Sequence, residues 1–269
     1  SCTPHEPLLN TSTNNMSDLQ SPLEDGPNGE RPVAIVTGAA KRVGRHVILE
    51  LAKSLQFDAV IHYGRSADAA REVSDELKAM GRRCVTVSAD LADVKIAADE
   101  IFAASGQLGP ASVLINCAAV FEERELPDID VEHCQQHFSI NTLAPVFLSQ
   151  AFQRQLPTNR AGHIINLLDW RATKTPATHL IYSASKAALA SITKTLAQQL
   201  APQIQVNAIA PGAILPPPNQ PDWHEERAQT TVPLQRSGCP QDISDSIEYL
   251  LKSNFITGEI LHVAGGEQL

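Results

Sequence analysis

A tyrosine and a lysine four residues apart have the residue types and spacing needed for proton transfer. Tyr182 and Lys186 lie in a segment of helical period that starts near Leu180, and their spacing places them on one face of a helix. A nearby ammonium lowers the pKa of a phenol, so we expect Tyr182 to give and accept protons near neutral pH. Asp169 follows a predicted strand thirteen residues upstream and should point to the same edge of a sheet. A chance Tyr-x-x-x-Lys spacing on a helix surface is the alternative.

A loop of small residues, Thr37 to Gly44, separates a predicted strand from a predicted helix. Glycine at position 38 lets the backbone approach a pyrophosphate, and a helix N-terminus adds unpaired N–H groups and a positive dipole end. An ordinary tight turn is the alternative interpretation. The strand before the loop and the helix after it favour a nucleotide-binding loop.

The end of the second predicted strand indicates which nucleotide binds. An acid there would bind the ribose 2′-hydroxyl of NAD, but residues 62–66 contain none. Arg65 can instead form a fork to a 2′-phosphate, Ser66 adds a hydroxyl, and Lys41 adds positive charge from the glycine loop. The sequence therefore predicts NADP, against the alternative of a solvated loop arginine.

Two further groups follow predicted strands, where adenine and its ribose would be contacted. Asp90 and Leu91 follow the third strand, and Asn116 and Ala118 come at the end of the fourth. An aspartate in this position is more often a helix cap or a turn former than a ligand contact, so each is weak evidence alone.

A regular alternation of strands and helices must position these residues. Buried strands separated by helices predict an α/β fold, with one doubly wound parallel sheet covered by helices on both faces, over residues 32–269. Ligands then bind at the carboxyl ends of the strands. The predicted strands are Val33–Val36, Ala59–Tyr63, Cys84–Ser88, Val113–Ile115, His163–Leu168, Gln205–Ile209 and Ile260–Val263, and the first two helices are Val43–Leu55 and Asp68–Met80.

Composition excludes several functional classes. The net charge is −9 over 269 residues, and the first 30 residues hold five of the acids and no Lys or Arg. No basic stripe is present to bind nucleic acid, and no apolar run is long enough to cross a membrane. The five scattered cysteines indicate neither a disulfide framework nor a thiolate zinc site, which suits a reducing, cytoplasmic compartment. Residues 1–31 are predicted to form a flexible N-terminal extension, within which Met16 is an alternative start.

The segment from Arg31 to Leu269 resembles the short-chain dehydrogenases/reductases. The resemblance rests on the glycine loop, Asp90, Asn116, Asn141, the pair Tyr182 and Lys186, and Pro211-Gly212, in matching order and spacing. It implies a single Rossmann-like domain, a homotetramer, Tyr182 as catalytic acid and base, Lys186 on the nicotinamide ribose, and Asn141 supporting a proton-relay water. The implied cofactor-binding residues are Gly38, Lys41, Arg42, Val43, Gly44, Arg65, Ser66, Asp90, Leu91, Asn116, Ala118, Tyr182, Lys186, Pro211 and Gly212.

Three departures from the common family pattern resemble the pteridine reductases and the bacterial dihydromonapterin reductases. Arg42 replaces the middle glycine of the loop, Asp169 replaces the catalytic serine, and Phe121 follows the Asn116 motif. That resemblance implies that Phe121 stacks on a pterin, that Arg42 reaches cofactor phosphate and pterin, and that Asp169 and Tyr182 contact the pterin and assist its protonation. Cys117, Ala264 and Glu122 depart from the pattern of those enzymes.

The sequence thus predicts an NADPH-dependent pterin reductase. The alternatives are a reductase of another small carbonyl or imine, since fold does not fix substrate, and an NADP-binding sensor or partner protein. His133 and His137 lie four apart on a predicted helix, but two ligands do not make a zinc site, and we expect no metal. Trp170 and Arg171 either line the pocket or cap the strand, and Leu215 to Trp223 is expected to cover the substrate.

Overall fold

A parallel β-sheet organises the chain. The computed structural model describes residues 19–26, 29–174, 176–216 and 228–269. Within these ranges, seven strands pair in the order β3-β2-β1-β4-β5-β6-β7, every pair being parallel. The strands are β1 (Val33–Val36), β2 (Asp58–Tyr63), β3 (Cys84–Ser88), β4 (Ala111–Asn116), β5 (Gly162–Leu167), β6 (Ile204–Pro211) and β7 (Ile260–Val263).

Apolar residues on both faces of the sheet explain why helices cover both. In β1, Ala34 and Val36 face one hydrophobic cluster, whereas Val33 and Ile35 face the other. Both clusters are closed by helices that supply apolar stripes at helical spacing. The helices are α1 (Arg42–Ser54), α2 (Ala67–Ala79), α3 (Val94–Ser105), α4 (Val131–Phe138), α5 (Ala144–Gln155), α6 (Leu180–Leu200) and α7 (Pro240–Lys252).

The order of the strands indicates at which edge of the sheet a ligand binds. The chain builds outward from β1 to β3 and then returns to place β4 on the other side of β1, so the order reverses between β1 and β4. Ligands of doubly wound folds bind at the carboxyl ends of the strands at such a reversal. The prediction of a single doubly wound parallel sheet with a Rossmann-like arrangement is confirmed.

The predicted bounds agree with the observed ones to within two residues. β1, β3 and β7 have the predicted limits, and β6 runs two residues further than predicted, to Pro211. β3 differs from the expectation of strands buried on both faces. Thr86 and Ser88 of β3 are exposed, because this strand forms an edge of the sheet.

A short segment before the domain lies against the amino ends of the central strands. Gln20 forms a parallel bridge with Arg160, and Ser112 donates a hydrogen bond to the carbonyl of Pro22 at 2.7 Å. Arg160, which is buried, donates to the carbonyl of Glu24 at 2.7 Å. Residues 19–26 therefore have defined contacts, and the prediction of a flexible extension stays a prediction for residues 1–18, which lie outside the described residues.

None of the helices in the described part of the chain combines the length and the apolar character needed to cross a bilayer.

The buried imidazole of His163 makes stability depend on pH. Burial in β5 lowers the pKa of His163 from 6.5 to about 4, because the interior disfavours the charged form. As pH falls, His163 is protonated in the unfolded chain before it is protonated in the folded chain. The contribution of the neutral His163 to the free energy of unfolding is therefore present above about pH 6.5 and is lost as pH falls towards 4. We expect the contribution to be ~3 kcal/mol.

Urea unfolding between pH 7 and pH 4 measures this contribution. His163→Leu should lose less stability on acidification than the wild type, by about that amount, whereas His46→Gln on the surface of α1 should behave like the wild type. An identical loss of stability in wild type and His163→Leu would show that His163 is not the titrating group.

Candidate active site

Tyr182 and Asp169 meet at the carboxyl edge of the sheet. Asp169 lies two residues after the end of β5, and Tyr182 lies in the first turn of α6. The Tyr182 hydroxyl donates a hydrogen bond to Oδ2 of Asp169 at 3.1 Å. The structure therefore brings together the predicted phenol and the predicted carboxylate, with the carboxylate as acceptor.

Lys186 lies one turn further along α6 and is buried. Its Nζ donates to the carbonyl oxygen of Leu167, the last residue of β5, at 2.6 Å, and lies 6.0 Å from the centroid of the Tyr182 ring. Burial lowers the pKa of Lys186 to about 8, although the negative charge of Asp169 works in the opposite direction.

The pKa of Tyr182 departs from the expectation. Burial raises it well above 10, and the charge and hydrogen bond of Asp169 raise it further, while the guanidinium of Arg171 lowers it. The sequence suggested a lowered pKa because the spacing to Lys186 was visible in it. The burial of the phenol and its contact with a carboxylate are properties of the folded chain.

Asn141 supports the loop that follows β4. It lies within a π-helical turn, Ser139–Leu143, between α4 and α5, and π-helical turns are frequent at functional sites. Its side chain is fully buried, accepts from the N–H of Val120 at 2.8 Å and donates to the carbonyl of Val120 and to Oγ of Ser185, each at 3.0 Å. Asn141 thus fixes the residue before Phe121 relative to α6.

The glycine loop has the backbone geometry of a phosphate-binding turn. Gly38 has φ of +66°, and a Cβ on Gly44 would lie 2.3 Å from the carbonyl oxygen of Gly38. Both positions therefore require glycine. Arg42 also adopts a left-handed conformation, with φ of +54°, at the place of the usual glycine. Its guanidinium donates to the carbonyls of Leu215 and Pro216 at 3.4 and 3.0 Å.

A histidine that sequence reasoning did not place in the site holds this loop. His62 is buried at the end of β2; its Nδ1 accepts from the N–H of Gly38 at 3.2 Å, and its Nε2 donates to the carbonyl of Ala89 at 3.1 Å. Burial lowers the pKa of His62, which favours the neutral ring that this arrangement needs. The partners of His62 are 24 and 27 residues away, so no local spacing reveals them.

A cleft of about 750 Å³ runs along the ends of β1 to β4. It is lined by five of the residues predicted to bind the cofactor, namely Gly38, Arg65, Asp90, Leu91 and Ala118. Lys41 and Ser66 occupy the N-cap positions of α1 and α2, and Val43 lies in the first turn of α1. The structure therefore brings five of the fifteen predicted cofactor-binding residues into one cleft and places these three at the starts of the helices that follow β1 and β2.

Asn116 has a different role for its side chain. It is buried, and its Nδ2 donates to Oδ1 of Asn166 at 2.8 Å, which ties β4 to β5 beneath the cleft. On the far side, Gly212 follows β6 and donates its N–H to the carbonyl of Val263 at 3.0 Å, which fixes Pro211 and Gly212 beside the end of β7.

Phe121 presents an aromatic ring beside the ring of Tyr182. The residue is 53% exposed, and the centroid of its ring lies 4.7 Å from that of Tyr182 with the planes at 86°. The ring also stacks on His179, at 4.4 Å and 19°. His179, which has φ of +57° immediately before α6, is a second residue that the sequence analysis missed.

His133 and His137 form part of the support for this loop. Nδ1 of His137 donates to the carbonyl of His133 at 2.9 Å, and its Nε2 accepts from the N–H of Glu122 at 3.4 Å. Within the described residues, no group of three or more His, Cys, Asp or Glu side chains is arranged to hold a metal ion. The predicted substrate cover, including Trp223, falls mainly on residues 217–227, outside the described part of the chain.

Comparison with known proteins agrees with this geometry. A family model described as short chain dehydrogenase matches residues 32–227. The chain belongs to the short-chain dehydrogenase family. Like the members of that family, it is an oxidoreductase.

Three proteins illustrate the range of relatives that this chain resembles. FolM alternative dihydrofolate reductase 1 from Brucella canis, solved in complex with NADP, is 33% identical with a TM-score of 0.81, covering 88% of this chain and 94% of that one. The 3-oxoacyl-[acyl-carrier-protein] reductase FabG of Staphylococcus aureus is 31% identical over 87% of this chain and 96% of its own. An uncharacterized oxidoreductase of Methylorubrum extorquens is 31% identical, covering 88% and 98%. The Brucella structure holds NADP, the cofactor that the sequence predicts here.

Removing the Asn141 amide should destabilise the fold. Asn141→Ala leaves the N–H and carbonyl of Val120 and the Ser185 hydroxyl without this partner, so we expect the free energy of unfolding to fall by ~2 to 4 kcal/mol. Chemical denaturation monitors the change, with Asn254→Ala at an exposed position as the control. A loss below about 0.5 kcal/mol in Asn141→Ala would contradict a supporting role for this network.

Proposed function

We propose that this short-chain dehydrogenase is an NADPH-dependent reductase of a pterin, of the dihydropteridine type. The observation that carries the proposal is the exposed Phe121 ring beside a hydrogen-bonded tyrosine and aspartate. Stacking on an aromatic face binds a planar, electron-poor ring and aims hydride at one face of it. The likeness to an alternative dihydrofolate reductase, an enzyme whose substrate contains a pterin ring, supports the same class.

The described residues fit NADPH. Arg65, Ser66 and Lys41 would hold the 2′-phosphate, the glycine loop with Arg42, Val43 and Gly44 the pyrophosphate, and Asp90, Leu91 and Ala118 the adenosine half. The side chain of Asn116 would support the end of β4 beside them through its hydrogen bond to Asn166. Lys186 would hold the nicotinamide ribose, next to Pro211 and Gly212. Bound NADPH would supply the hydride that adds to the carbon of a C=N bond.

Tyr182 gives its hydroxyl proton to the nitrogen that gains the electron pair of that bond, and it later regains a proton from solvent. The raised pKa of Tyr182 keeps the phenol protonated before the reaction. Lys186 supplies a positive charge beneath the ring that stabilises the phenolate left behind. Asn141 holds the Phe121 loop in register with α6 and supports the water through which the proton is replaced.

Asp169 favours a pterin over a simple carbonyl. A ketone oxygen is stabilised by hydrogen-bond donors, but both oxygens of Asp169 accept hydrogen bonds, from Arg171 and from Tyr182. A ring N–H or amino group of a pterin supplies donors of its own and takes the place of the Tyr182 hydroxyl on Oδ2. That exchange frees the hydroxyl for the reacting nitrogen.

The similarity to FabG keeps a second candidate, a reductase of a small carbonyl compound such as a 3-oxoacyl thioester. Tyr182 and Lys186 serve either reaction, so the substrate is decided by Phe121 and Asp169. The third alternative, a sensor that binds NADP without turnover, has no need for the buried pair. The homotetramer implied by the family resemblance and the cytoplasmic location expected from the cysteine usage stay predictions.

Removing the guanidinium of Arg65 should remove the preference for NADPH. Arg65→Ala is expected to weaken NADPH binding at least ~10-fold while leaving NADH binding nearly unchanged, because only NADPH carries the 2′-phosphate. Cofactor fluorescence titration measures both constants. Arg71→Ala, an exposed arginine paired with Asp68 on α2, is the matched control. Equal affinity of the wild type for the two cofactors would refute the assignment.

The substrate class is tested by comparing a dihydropterin with acetoacetyl thioester and a diketone. Phe121→Ala should raise KM for the dihydropterin roughly fivefold or more, through lost stacking, with little change for the carbonyls. Asp169→Ser should lower kcat for the dihydropterin more than it raises KM.

Tyr182→Phe should lower kcat on every substrate by ~10² to 10⁴ while NADPH binding is retained.

Phe255→Ala is the matched control, because Phe255 is a 98% exposed phenylalanine in the turn before β7. A wild-type enzyme that reduces a carbonyl but no pterin or folate would refute the pterin assignment and favour the second candidate. Turnover by Tyr182→Phe at the wild-type rate would instead refute Tyr182 as the acid.

A further inference from the structure

Arg171 makes closer contacts with Asp169 than a strand cap requires. It lies in the 3-10 turn Trp170–Ala172, and its side chain is only 10% exposed. Its backbone N–H donates to Oδ1 of Asp169 at 2.9 Å, which already caps the turn. In addition, Nη1 lies 3.0 Å from Oδ1 and 3.3 Å from Oδ2 of the same carboxylate. The guanidinium therefore contacts both carboxylate oxygens, including Oδ2, which accepts the hydrogen bond of the Tyr182 hydroxyl.

Two aromatic rings hold the guanidinium in place. Its central carbon lies 4.7 Å from the centroid of Trp170 and 5.6 Å from that of Phe121. A planar cation can stack on aromatic faces in this way while its edge binds a carboxylate, whereas an ammonium has neither property in full. Arg171 consequently links the ring proposed to bind substrate with the carboxylate proposed to assist proton transfer.

The charge of Arg171 also opposes that of Asp169. A carboxylate that accepts a hydrogen bond from Tyr182 raises the pKa of the phenol and so holds its proton back, while the guanidinium lowers that pKa. With the Asp169 charge balanced, the carboxylate orients the hydroxyl without retaining its proton too strongly. Nε of Arg171 is buried and has no hydrogen-bond partner among the described residues, so this side chain is not placed there simply to satisfy its own donors.

We propose that Arg171 is a positioning residue of the active site, which orients Asp169 and balances its charge so that Tyr182 can release its proton to substrate. The proposal rests on the function proposed above for Tyr182 and Asp169. In this proposal, Arg171 affects the reaction through Asp169 and does not itself contact substrate or cofactor. The two residues must then act as a unit.

A double-mutant cycle on kcat tests this unit. Arg171→Gln should lower kcat by about 10- to 100-fold, with the dissociation constant of NADPH unchanged, whereas the same substitution in an Asp169→Asn background should lower kcat less than about threefold. Added guanidinium ion should restore part of the activity of Arg171→Ala, and Arg171→Lys should fall between wild type and Arg171→Gln because it keeps the charge but not the planar group that lies over Trp170.

Arg83→Ala is the structural control. Arg83 also contacts a carboxylate through its backbone and its guanidinium, at 2.9 and 2.6 Å from the oxygens of Asp58, but it lies at the amino ends of β2 and β3, opposite the site. Its loss should lower stability without lowering kcat and without rescue by guanidinium ion. Equal losses from Arg171→Gln in both Asp169 backgrounds, or no rescue of Arg171→Ala, would overturn the proposal.

A measurement that needs no turnover separates this proposal from the proposed function. In protein labelled with ¹³C at the ring carbon that bears the hydroxyl, the Tyr182 resonance is identified by its absence in Tyr182→Phe. Arg171→Gln should shift that resonance and leave those of Tyr63 and Tyr249 in place, even if the enzyme proves inactive on pterins and the cycle is run on a diketone. An unmoved Tyr182 resonance would overturn the positioning role.

Discussion

The hydrogen bond between Tyr182 and Asp169 places a carboxylate where water has little access, and much of the surrounding structure stabilises it there. A carboxylate with little access to water needs compensating partners, and Asp169 finds them in the guanidinium of Arg171 and the phenol of Tyr182. The ammonium of Lys186 is more deeply buried than this carboxylate, and the last carbonyl of β5 accepts a hydrogen bond from it. These charges lie close together because β5 ends where the first turns of α6 pack against it. The register between sheet and helix therefore also sets the geometry of the proposed proton path.

A network of buried amides and hydroxyls maintains that register. Asn166 of β5 donates to Thr193 of α6 at 2.9 Å and accepts from Asn116 of β4 at 2.8 Å. Nearer the start of α6, Asn141 donates to Ser185 at 3.0 Å. In a close-packed interior such directional contacts resist sliding of the helix, which apolar packing alone permits more readily. The site is therefore supported from below by polar groups that never face the cleft.

The fold could be predicted because its signals are local. The continuous apolar run Val33–Val36 indicates a buried strand, and the apolar stripe of α1 indicates a helix that packs on the sheet. Parallel strands joined by helices allow few topologies. The spacing of Tyr182 and Lys186 is local in the same sense. Other features could not be predicted, because each depends on burial or on a partner that only folding brings near. They are the raised pKa of Tyr182, the stacking of Arg171 on Trp170, and the roles of His62 and His179. The π-helical turn at Asn141 was missed for a related reason, since it differs from an α-helix only in hydrogen-bond pattern.

His62 ties the shape of the glycine loop to the chemistry of one ring. Its Nδ1 can accept the Gly38 N–H only while that nitrogen carries no proton, so a charged imidazole would set two donors against each other at the base of the phosphate turn. Burial opposes that charge, and the loop keeps its shape at pH values where a free imidazole would already be protonated. Burial of His62 thus protects from acidification the end of the cleft that is proposed to bind nucleotide, and a polar substitution that admitted water around His62 is expected to make cofactor binding sensitive to pH.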